Sequence, residues 1–386
     1  MSEATGKTEK PRRKNTEAKA KANADVRSKA KPYATMDDVA AAAGVHPTTV
    51  SMALRAHPSI PLATRERIVK EARRIGYVRD PLLDAFNFHR LRKLAAKQTP
   101  SIAFVVDANA SPYFFGASYH PQVYEGVRAV AEAQHLSVEV FPLGTREMTA
   151  SRLNTIIASR GISGVLLSTF TQATQAIDLD WDQYSAVKIE SHHLLPQHDI
   201  VSNDQWRAAR MCLRKLRELG YRRIGLATAR DDELRLQDNF SSGVLVEQAT
   251  LPESERVPTL LFERAPIAQV MEQVVAWMRE QKVDALMSNW HELITFAPNS
   301  REGARLTSTN IRVPEDIAFA SLDVPTDSLH MGGVVQNHRL VGMRAMEQLS
   351  VLVKTYHRGA PINPSATYVP GYWRDGATIP TRNRRN

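Results

Sequence analysis

The sequence predicts an α/β protein in which a small N-terminal unit of three helices precedes a two-lobed core with parallel sheets. Three observations support this prediction. Short helical patterns broken by a glycine fill residues 35–77, and buried apolar strands alternate with amphipathic helices from residue 101 onward. These strands are too many for one comfortable open sheet, which favours two similar lobes. At 386 residues the chain is long enough for two or three domains, each with its own core.

Positive charge is concentrated in the N-terminal quarter of the chain. Residues 1–98 hold 21 Lys and Arg against 10 Asp and Glu, whereas the whole chain carries a formal net charge of +9. This asymmetry is typical of a polyanion-binding module attached to a near-neutral body; a basic tail that only aids solubility is the alternative. We expect residues 1–32 to be a disordered basic arm, which either contacts phosphates or serves only solubility.

The composition disfavours several other classes of protein. Cys212 is the one cysteine, so no intrachain disulfide can form, and its helical context predicts burial. No run approaches 18 apolar residues and the N-terminus lacks the apolar segment of a secretory signal, so we expect a cytoplasmic, nucleoid-associated protein without membrane contact. His192, His193 and His198 with Asp199 lack an obvious fourth ligand, and no catalytic motif is present. We therefore expect no metal, no cofactor and no enzymatic activity.

Apolar residues at helical spacing define the three N-terminal helices: Met36, Val39, Ala40 and Ala43 in the first, Val50, Ala53 and Leu54 in the second, and Ile68, Val69, Ala72 and Ile75 in the third. Gly44 supplies a C-cap to the first helix, and Pro47 suits the first position of the second. The third helix is predicted to begin at about Thr64 and to end at Gly76. So small a core is expected of a module that docks on another molecule.

The helix–glycine–helix pattern of residues 36–55 has the form of a helix-turn-helix, whose second helix enters the major groove of DNA. The face of this helix that its apolar residues leave free carries Thr48, Thr49 and Ser51, which can bond to bases or phosphates, with Met52 among them. Arg55 is placed to bind a phosphate. Residues 33–80 are therefore predicted to be a DNA-binding domain; a plain helical hairpin in a bundle is the alternative.

Residues 81–99 are helix-compatible but short and basic, so we expect a hinge helix or linker that becomes ordered only on contact. Residues 100–380 are predicted to form the core, with a first lobe at about 100–221 and 336–360 and a second at about 222–333. The predicted strands are 101–107, 136–142, 164–168, 186–190, 200–202, 223–228, 259–262, 284–288, 317–321, 334–335 and 366–369, and the predicted helices are 121–135, 150–160, 204–220, 235–249, 267–281, 290–308 and 338–357. Ligands of such folds bind beyond the carboxyl ends of the strands, here in the cleft between the lobes.

The N-terminal unit resembles the DNA-binding headpiece of the lactose-repressor family of bacterial transcription regulators. Residues 35–81 read TMDDVAAAAGVHPTTVSMALRAHPSIPLATRERIVKEARRIGYVRDP, and they match the family pattern at Thr35, Asp38, Val39, Ala40, Ala43, Gly44, Val45, Thr49, Val50, Ser51, Leu54, Thr64, Arg65, Gly76 and Tyr77. Further segments at 204–228 and 313–325 are also similar, and the resemblance extends to about residue 378. It implies a homodimer that binds a pseudo-palindromic double-stranded DNA operator. It also implies a periplasmic-binding-protein-like core that binds a small-molecule effector, often a sugar or nucleobase.

Two positions in the predicted recognition helix depart from the family pattern. His46 stands where the family usually has a serine N-cap, and Met52 stands where it usually has arginine. Arginine can hold guanine with two hydrogen bonds, whereas methionine mainly packs against a thymine methyl group or a sugar. We therefore predict an altered base preference at one operator position; packing of Met52 between helices is the alternative.

The resemblance adds further DNA-binding positions at Thr35, Thr64 and Tyr77. Phe86 matches the family's leucine that inserts into the minor groove at the centre of the operator, and a phenylalanine can unstack bases in the same way. Phe88 is a rival for this role. Packing of Phe86 against the core or the other hinge is a further alternative.

In the cleft, the resemblance implies that Tyr113 and Phe114 stack on the effector and that Asp323 accepts its hydrogen bonds. Asn289 matches the first residue of the family's Asn-Asp pair, and Trp290 replaces the second. The family's arginine three residues before Gly243 is absent, because Phe240 stands there and Arg235 lies nearby. For each of these pocket residues, a purely structural role is the alternative.

The sequence therefore predicts a DNA-binding transcription regulator, foremost a repressor, which a sugar or related metabolite controls. One alternative is a constitutive regulator with a degenerate cleft, and another is a soluble solute-binding receptor. The C-terminal tail has no heptads, which leaves a homodimer as the expected assembly.

Overall fold

The computed structural model describes residues 36–54, 60–75, 77, 100–108, 119–296 and 303–382. The chain forms two compact units, Met1–Leu94 and Ala95–Asn386. The predicted arm at 1–32 and hinge at 81–99 lie outside the described residues and stay predictions.

Three helices build the N-terminal unit: α1 (Met36–Ala43), α2 (Pro47–Leu54) and α3 (Leu62–Arg74). Their shared core consists of the buried side chains of Val39, Ala40, Ala43, Val50, Ala53, Ile68 and Ala72. Gly44 has a φ of +62°, a left-handed conformation that favours glycine and lets the chain turn from α1 into α2. The predicted three-helix fold is confirmed, with α3 beginning two residues before the predicted start.

The first lobe of the core unit is built on a fully parallel sheet with strand order β14-β5-β4-β3-β1-β2. Its elements are β1 (Ser101–Asp107), α4 (Tyr119–Ala133), β2 (Ser137–Leu143), α5 (Ala150–Ser159), β3 (Gly164–Leu167), β4 (Ser185–Ile189), β5 (Asp199–Asn203), α10 (His338–Thr355) and β14 (Ala366–Val369). Alternate residues of each strand face opposite ways, so one side of β1 packs on α4 and α10 and the other on α5. Gly126 and Gly342 allow α4 and α10 to approach closely, because a Cβ at either would lie 2.0 Å from a backbone oxygen of the other helix.

The second lobe is built on a sheet with strand order β15-β13-β12-β8-β6-β7, in which only the pairing of β15 with β13 is antiparallel among the described strands. Its elements are α6 (Gln205–Glu218), β6 (Ile224–Ala229), α7 (Arg230–Arg235), α8 (Asn239–Gln248), β7 (Leu260–Phe262), α9 (Ile267–Glu280), β8 (Ala285–Ser288), β9 (Ile294–Phe296), β10 (Ala304–Leu306), β11 (Arg312–Val313), β12 (Ala318–Ser321), β13 (Gly332–Val335) and β15 (Tyr372–Arg374). The predicted α/β class and two-lobed core with parallel sheets are confirmed.

The predicted helix at 290–308 is wrong. A short 3₁₀ turn at His291–Leu293 is followed by β9, β10 and β11, which form a small antiparallel sheet. In β10, Ala304 and Leu306 are buried while Arg305 is exposed, which is the two-residue period of a strand. The predicted helix at 235–249 corresponds to α8, which begins only at Asn239, because Gln237 and Asp238 have φ values of +54° and +57° and separate α8 from α7.

Helix α6 lies in the second lobe. The predicted boundary at residue 221, which places this helix in the first lobe, is therefore wrong. Its apolar face shares a core with β6 and β8, through Ala208, Ala209, Cys212, Leu213 and Leu216. The chain therefore crosses between lobes directly after β5. Two further connections lie between β13 and α10 and between β14 and β15, so the C-terminal residues return to the second lobe.

Candidate functional site

The turn before α2 brings His46 to the N-terminus of that helix. Nδ1 of His46 accepts a hydrogen bond from the backbone N–H of Thr48 at 3.3 Å and lies 3.0 Å from its Oγ1. The imidazole therefore caps α2, where a serine or threonine hydroxyl is the usual cap. This contact fixes the position of His46, which the sequence assigned to DNA binding.

Thr48 and Met52 lie on the side of α2 opposite to its core face. With 3.6 residues per turn, both are roughly half a turn from Val50, which is fully buried. Thr48 is exposed, and Thr49 and Met52 are half-buried. The outward face of α2 thus presents two hydroxyls and one thioether.

The remaining predicted DNA-binding residues differ in their surroundings. Thr64 is half-buried in the first turn of α3, while Tyr77 packs on the core of the N-terminal unit and donates its backbone N–H to Ala72 at 2.9 Å. Other predicted residues lie outside the described residues, or their side chains do: Thr35, Ser51, Arg55, Phe86, Tyr113 and Phe114.

In the core unit, Asp232 is the centre of a polar cluster at the carboxyl edge of the second sheet. It lies in α7 at the carboxyl end of β6, and its buried carboxylate accepts hydrogen bonds from Asn289 Nδ2 (3.0 Å), Trp290 Nε1 (2.9 Å) and Arg264 (2.8 Å). Arg264 also lies 4.7 Å from the centre of the Trp290 ring. Burial alone raises the pKa of Asp232, but Arg264 and Arg235 outweigh it and hold that pKa below its ordinary value. The predicted effector residues Asn289 and Trp290 are thus brought together, and both donate to Asp232.

Arg235 joins this cluster to the first lobe. Its guanidinium donates to Asp232 at 3.3 Å and to the backbone carbonyl of Glu190 at 3.1 Å, and the Glu190 carboxylate lies 3.7 Å away. Glu190 directly follows β4, at the carboxyl edge of the first sheet. Only 9% of the Arg235 side chain and 2% of the Glu190 side chain are exposed. The two lobes are therefore connected by a buried ion pair.

A second connection between the lobes runs through His338, the first residue of α10. Nε2 of His338 lies 2.9 Å and 3.0 Å from the two carboxylate oxygens of Asp323, which follows β12 in the second lobe. Nδ1 of the same ring lies 3.1 Å from Nδ2 of Asn203, at the end of β5. Asn203 in turn donates to Glu190 Oε1 at 2.7 Å. The predicted effector residue Asp323 is therefore part of a polar network that reaches from one lobe to the other.

The residues that the sequence did not single out here are Asp232, Arg264, Glu190, Asn203 and His338. Each lies at the carboxyl end of a strand or at the start of a helix, where the fold class predicts ligand-binding groups. Position in the fold was therefore the available signal, because no local motif marks these residues.

Within the described part of the chain, no group of three or more His, Cys, Asp and Glu is placed to hold a metal ion. His192 stacks on Tyr368 with ring centres 6.0 Å apart, whereas Nε2 of His193 faces the carbonyl of Thr174 at 3.1 Å. The described helices also include none that is long and apolar enough to cross a membrane.

Comparison with known proteins gives concordant results for both units. Residues 35–80 match the family described as "Bacterial regulatory proteins, lacI family". The chain is 26% identical over 198 residues to the NTD biosynthesis operon regulator NtdR of Bacillus subtilis (strain 168), covering 50% of this chain and 54% of that protein. It is 26% identical over 177 residues to the HTH-type transcriptional regulator MalR of Streptococcus pneumoniae, covering 45% of this chain and 50% of MalR. The chain thus spans about half the length of the curated relatives it matches.

Solved structures share the fold over most of the chain. A complex of the transcriptional regulator CelR with cellobiose is similar at a TM-score of 0.54 and 19% identity, covering 89% of this chain and 99% of CelR. The lac repressor dimer bound to operator and the anti-inducer ONPF is similar at a TM-score of 0.50 and 17% identity, covering 90% and 99%. The helix-turn-helix unit thus matches the lacI family of bacterial regulatory proteins over residues 35–80, and the chain shares the fold of these solved regulator structures.

Proposed function

We propose that the chain is a sequence-specific DNA-binding transcription regulator, acting as a repressor in the cytoplasm and at the nucleoid. The observation that carries the proposal is the N-terminal unit, where a lacI-family match coincides with a helix-turn-helix whose second helix presents Thr48 and Met52 outward. The regulator names of the relatives and the operator in the lac repressor structure support it. A homodimer presents two such units to a pseudo-palindromic operator.

In this proposal α2 lies in the major groove. Thr48 and Thr49 bond to base edges or phosphates, because hydroxyls both donate and accept. Met52 carries no strong donor, so it packs against a thymine methyl group or a sugar. His46, as the cap of α2, fixes where the helix begins and thereby orients these side chains.

Replacing Met52 with arginine is expected to change the preferred base at one symmetric pair of operator positions. A guanidinium that holds guanine with two bonds discriminates by about 1–3 kcal/mol, so guanine should replace the wild-type base there. The measurement is selection of bound sequences from random DNA with each protein. Leu62→Arg is the matched control, because it adds the same charge at a side chain of α3 that is 66% exposed and lies outside α2. An identical selected motif for wild type and Met52→Arg would refute a base contact at this residue.

We further propose that a sugar or related metabolite binds between the lobes and sets the affinity for DNA. The position of Asp323 supports this proposal, because Asp323 follows β12 at the carboxyl edge of the second sheet and 29% of its side chain is exposed. Its oxygens can accept hydrogen bonds from ligand hydroxyls. The cellobiose in the similar CelR structure supports this ligand class. Differential binding of the ligand to two lobe arrangements then shifts the population of the DNA-binding form.

Replacing Asp323 with asparagine is expected to abolish ligand-induced stabilisation while sparing operator binding. A thermal-shift screen of sugars on the wild-type chain first identifies the ligand, which at 100 times its Kd stabilises the fold by about 2.7 kcal/mol. Asp316→Asn is the control, because Asp316 is an exposed carboxylate of the same lobe that pairs with Arg312. Equal thermal shifts for wild type and Asp323→Asn would show that Asp323 does not bind the effector.

A constitutive regulator is the second candidate, and one observation favours it. The polar atoms of Asn289, Trp290 and Asp232 bond to one another and so leave few groups for a ligand. The same screen separates the candidates, since a constitutive regulator binds the operator but shows no stabilisation by any sugar.

A further inference from the structure

The side chain of Asn203 lies where the three connections between the lobes run close together. Its Oδ1 accepts a hydrogen bond from the backbone N–H of Asn337 at 3.1 Å, which links the connection after β5 to the connection between β13 and α10. The backbone N–H of the neighbouring Asp204 donates to the carbonyl of Val369 at 2.9 Å, which links the connection after β5 to the connection between β14 and β15. A movement of one lobe against the other has to pass through these residues, because hinges absorb their rotation where the chain crosses.

The hydrogen bonds of Asn203 fix the orientation of its amide. Nδ2 faces the carboxylate of Glu190 at 2.7 Å, and Oδ1 faces the N–H of Asn337. Rotating the amide by half a turn would place its oxygen against the carboxylate of Glu190 and its NH₂ group against the N–H of Asn337. The NH₂ group is therefore the one that points at His338. This orientation assigns Nδ1 of His338 as the acceptor and Nε2 as the N–H donor to Asp323, which is the neutral form of the ring.

The surrounding charges act against this neutral form. Burial lowers the pKa of His338, but the carboxylates of Asp323 and Glu190 outweigh it, so the pKa lies above its ordinary value of 6.5. The charged groups around the ring come from three elements: Asp323 after β12, Glu190 after β4, and Arg235 of α7, which pairs with Glu190. On α10 itself, the neighbouring Arg339 is exposed. The carboxylates of Asp323 and Glu190 thus favour protonation of the ring at Nδ1, whereas the NH₂ group of Asn203 disfavours it.

We propose that His338 is a proton-operated switch at the hinge between the lobes. A proton from solvent adds to the lone pair of Nδ1, and the ring then presents N–H to the NH₂ of Asn203. Asn203 must turn or withdraw, which weakens its bonds to Glu190 and Asn337. The preferred arrangement of the lobes therefore changes with pH. On the proposed function, this also makes effector and operator affinity depend on pH.

The first test is the titration of His338 in the full chain. Long-range nitrogen–proton NMR spectra of ¹⁵N-histidine protein report the tautomer of each ring, and the signal that disappears in His338→Gln belongs to His338. We expect the Nε2–H tautomer at high pH and a midpoint above 6.5. Glu233, whose pKa burial raises to about 7, titrates in the same range, which is why the ring itself is observed. An Nδ1–H tautomer at high pH would overturn the proposal.

The second test is the distance between the lobes as a function of pH. Spin labels at Val140→Cys in the first lobe and Leu245→Cys in the second occupy side chains that are 47% and 68% exposed. Doubly labelled chain is mixed with excess unlabelled chain, so that each measured distance is within one chain. We expect the distance to change at the midpoint of His338, to be independent of pH in His338→Gln, and to follow the wild type in His135→Asn, where an exposed histidine is replaced.

The outcomes separate the switch from the proposed function, because neither readout needs DNA or effector. A distance that does not change at the midpoint of His338, or that still changes in His338→Gln, contradicts the switch even if operator binding is intact. If His338→Gln does not fold, Asn203→Ser replaces it. Removal of the opposing amide should then raise the midpoint of His338 by about one pH unit, and an unchanged midpoint contradicts the proposal.

Discussion

Replacing Arg235 with leucine is expected to lower the free energy of unfolding of the core by about 3–5 kcal/mol, because it leaves a buried carboxylate without its cation. Glu190 is almost completely buried, so water cannot replace the guanidinium. Asp232 keeps Arg264 and is affected less. Urea denaturation followed by circular dichroism measures the effect as a lower midpoint at unchanged slope.

The control for this experiment is Arg230→Leu. Arg230 pairs with Glu263, but 51% and 74% of the two side chains are exposed, so the loss is expected to be at most about 1 kcal/mol. A double variant, Arg235→Leu with Glu190→Leu, should recover part of the stability, since it removes both charges together. Equal effects of Arg235→Leu and Arg230→Leu would contradict a buried connection between the lobes.

Replacing Ile68 with alanine is expected to abolish DNA binding by unfolding the N-terminal unit while the core unit stays folded. Ile68 is fully buried, and most of the other buried side chains of this unit are alanines or valines. Truncating such a residue costs about 2–5 kcal/mol, which is comparable to the whole stability of a domain this small. Operator binding is measured by fluorescence anisotropy, and core unfolding by urea denaturation.

The control for Ile68→Ala is Leu62→Ala, on the same helix. Leu62 is 66% exposed, so its truncation should change operator affinity by less than a factor of about three. Operator binding of Ile68→Ala within that same range would show that the small core does not limit the stability of the unit.

The fold was predictable from the sequence wherever a local pattern of residues was enough to identify a helix, strand or turn. The glycine turn at Gly44 and the helical spacing of Val50 and Ala53 identified the N-terminal unit, and buried apolar runs identified the strands of both sheets. The prediction for segment 290–308 was wrong because apolar and polar residues alternate there over too few positions to show the two-residue period of a strand. Helix α6 was assigned to the wrong lobe, because the pattern of an amphipathic helix shows that one face is buried but not which sheet it packs on.

The polar network of the cleft was only partly predictable. Asp323 and Asn289 were identified by resemblance, but their partners His338 and Asp232 lie 15 and 57 residues away along the chain. Asn203 and His338 are separated by 135 residues. Such pairs form only when the ends of strands and helices that are distant along the chain meet, so their spacing carries no local signature. The capping role of His46, by contrast, follows from its position directly before a helix.

The central claim is that two copies of α2 bind the major groove of a symmetric operator, and selection from random DNA with the full chain tests it most directly. The predicted result is an inverted repeat whose affinity falls about 10³-fold or more between roughly 50 and 200 mM salt, because several phosphate contacts release counterions. Enrichment of no inverted repeat, or affinity that stays constant over that range of salt, would contradict the claim.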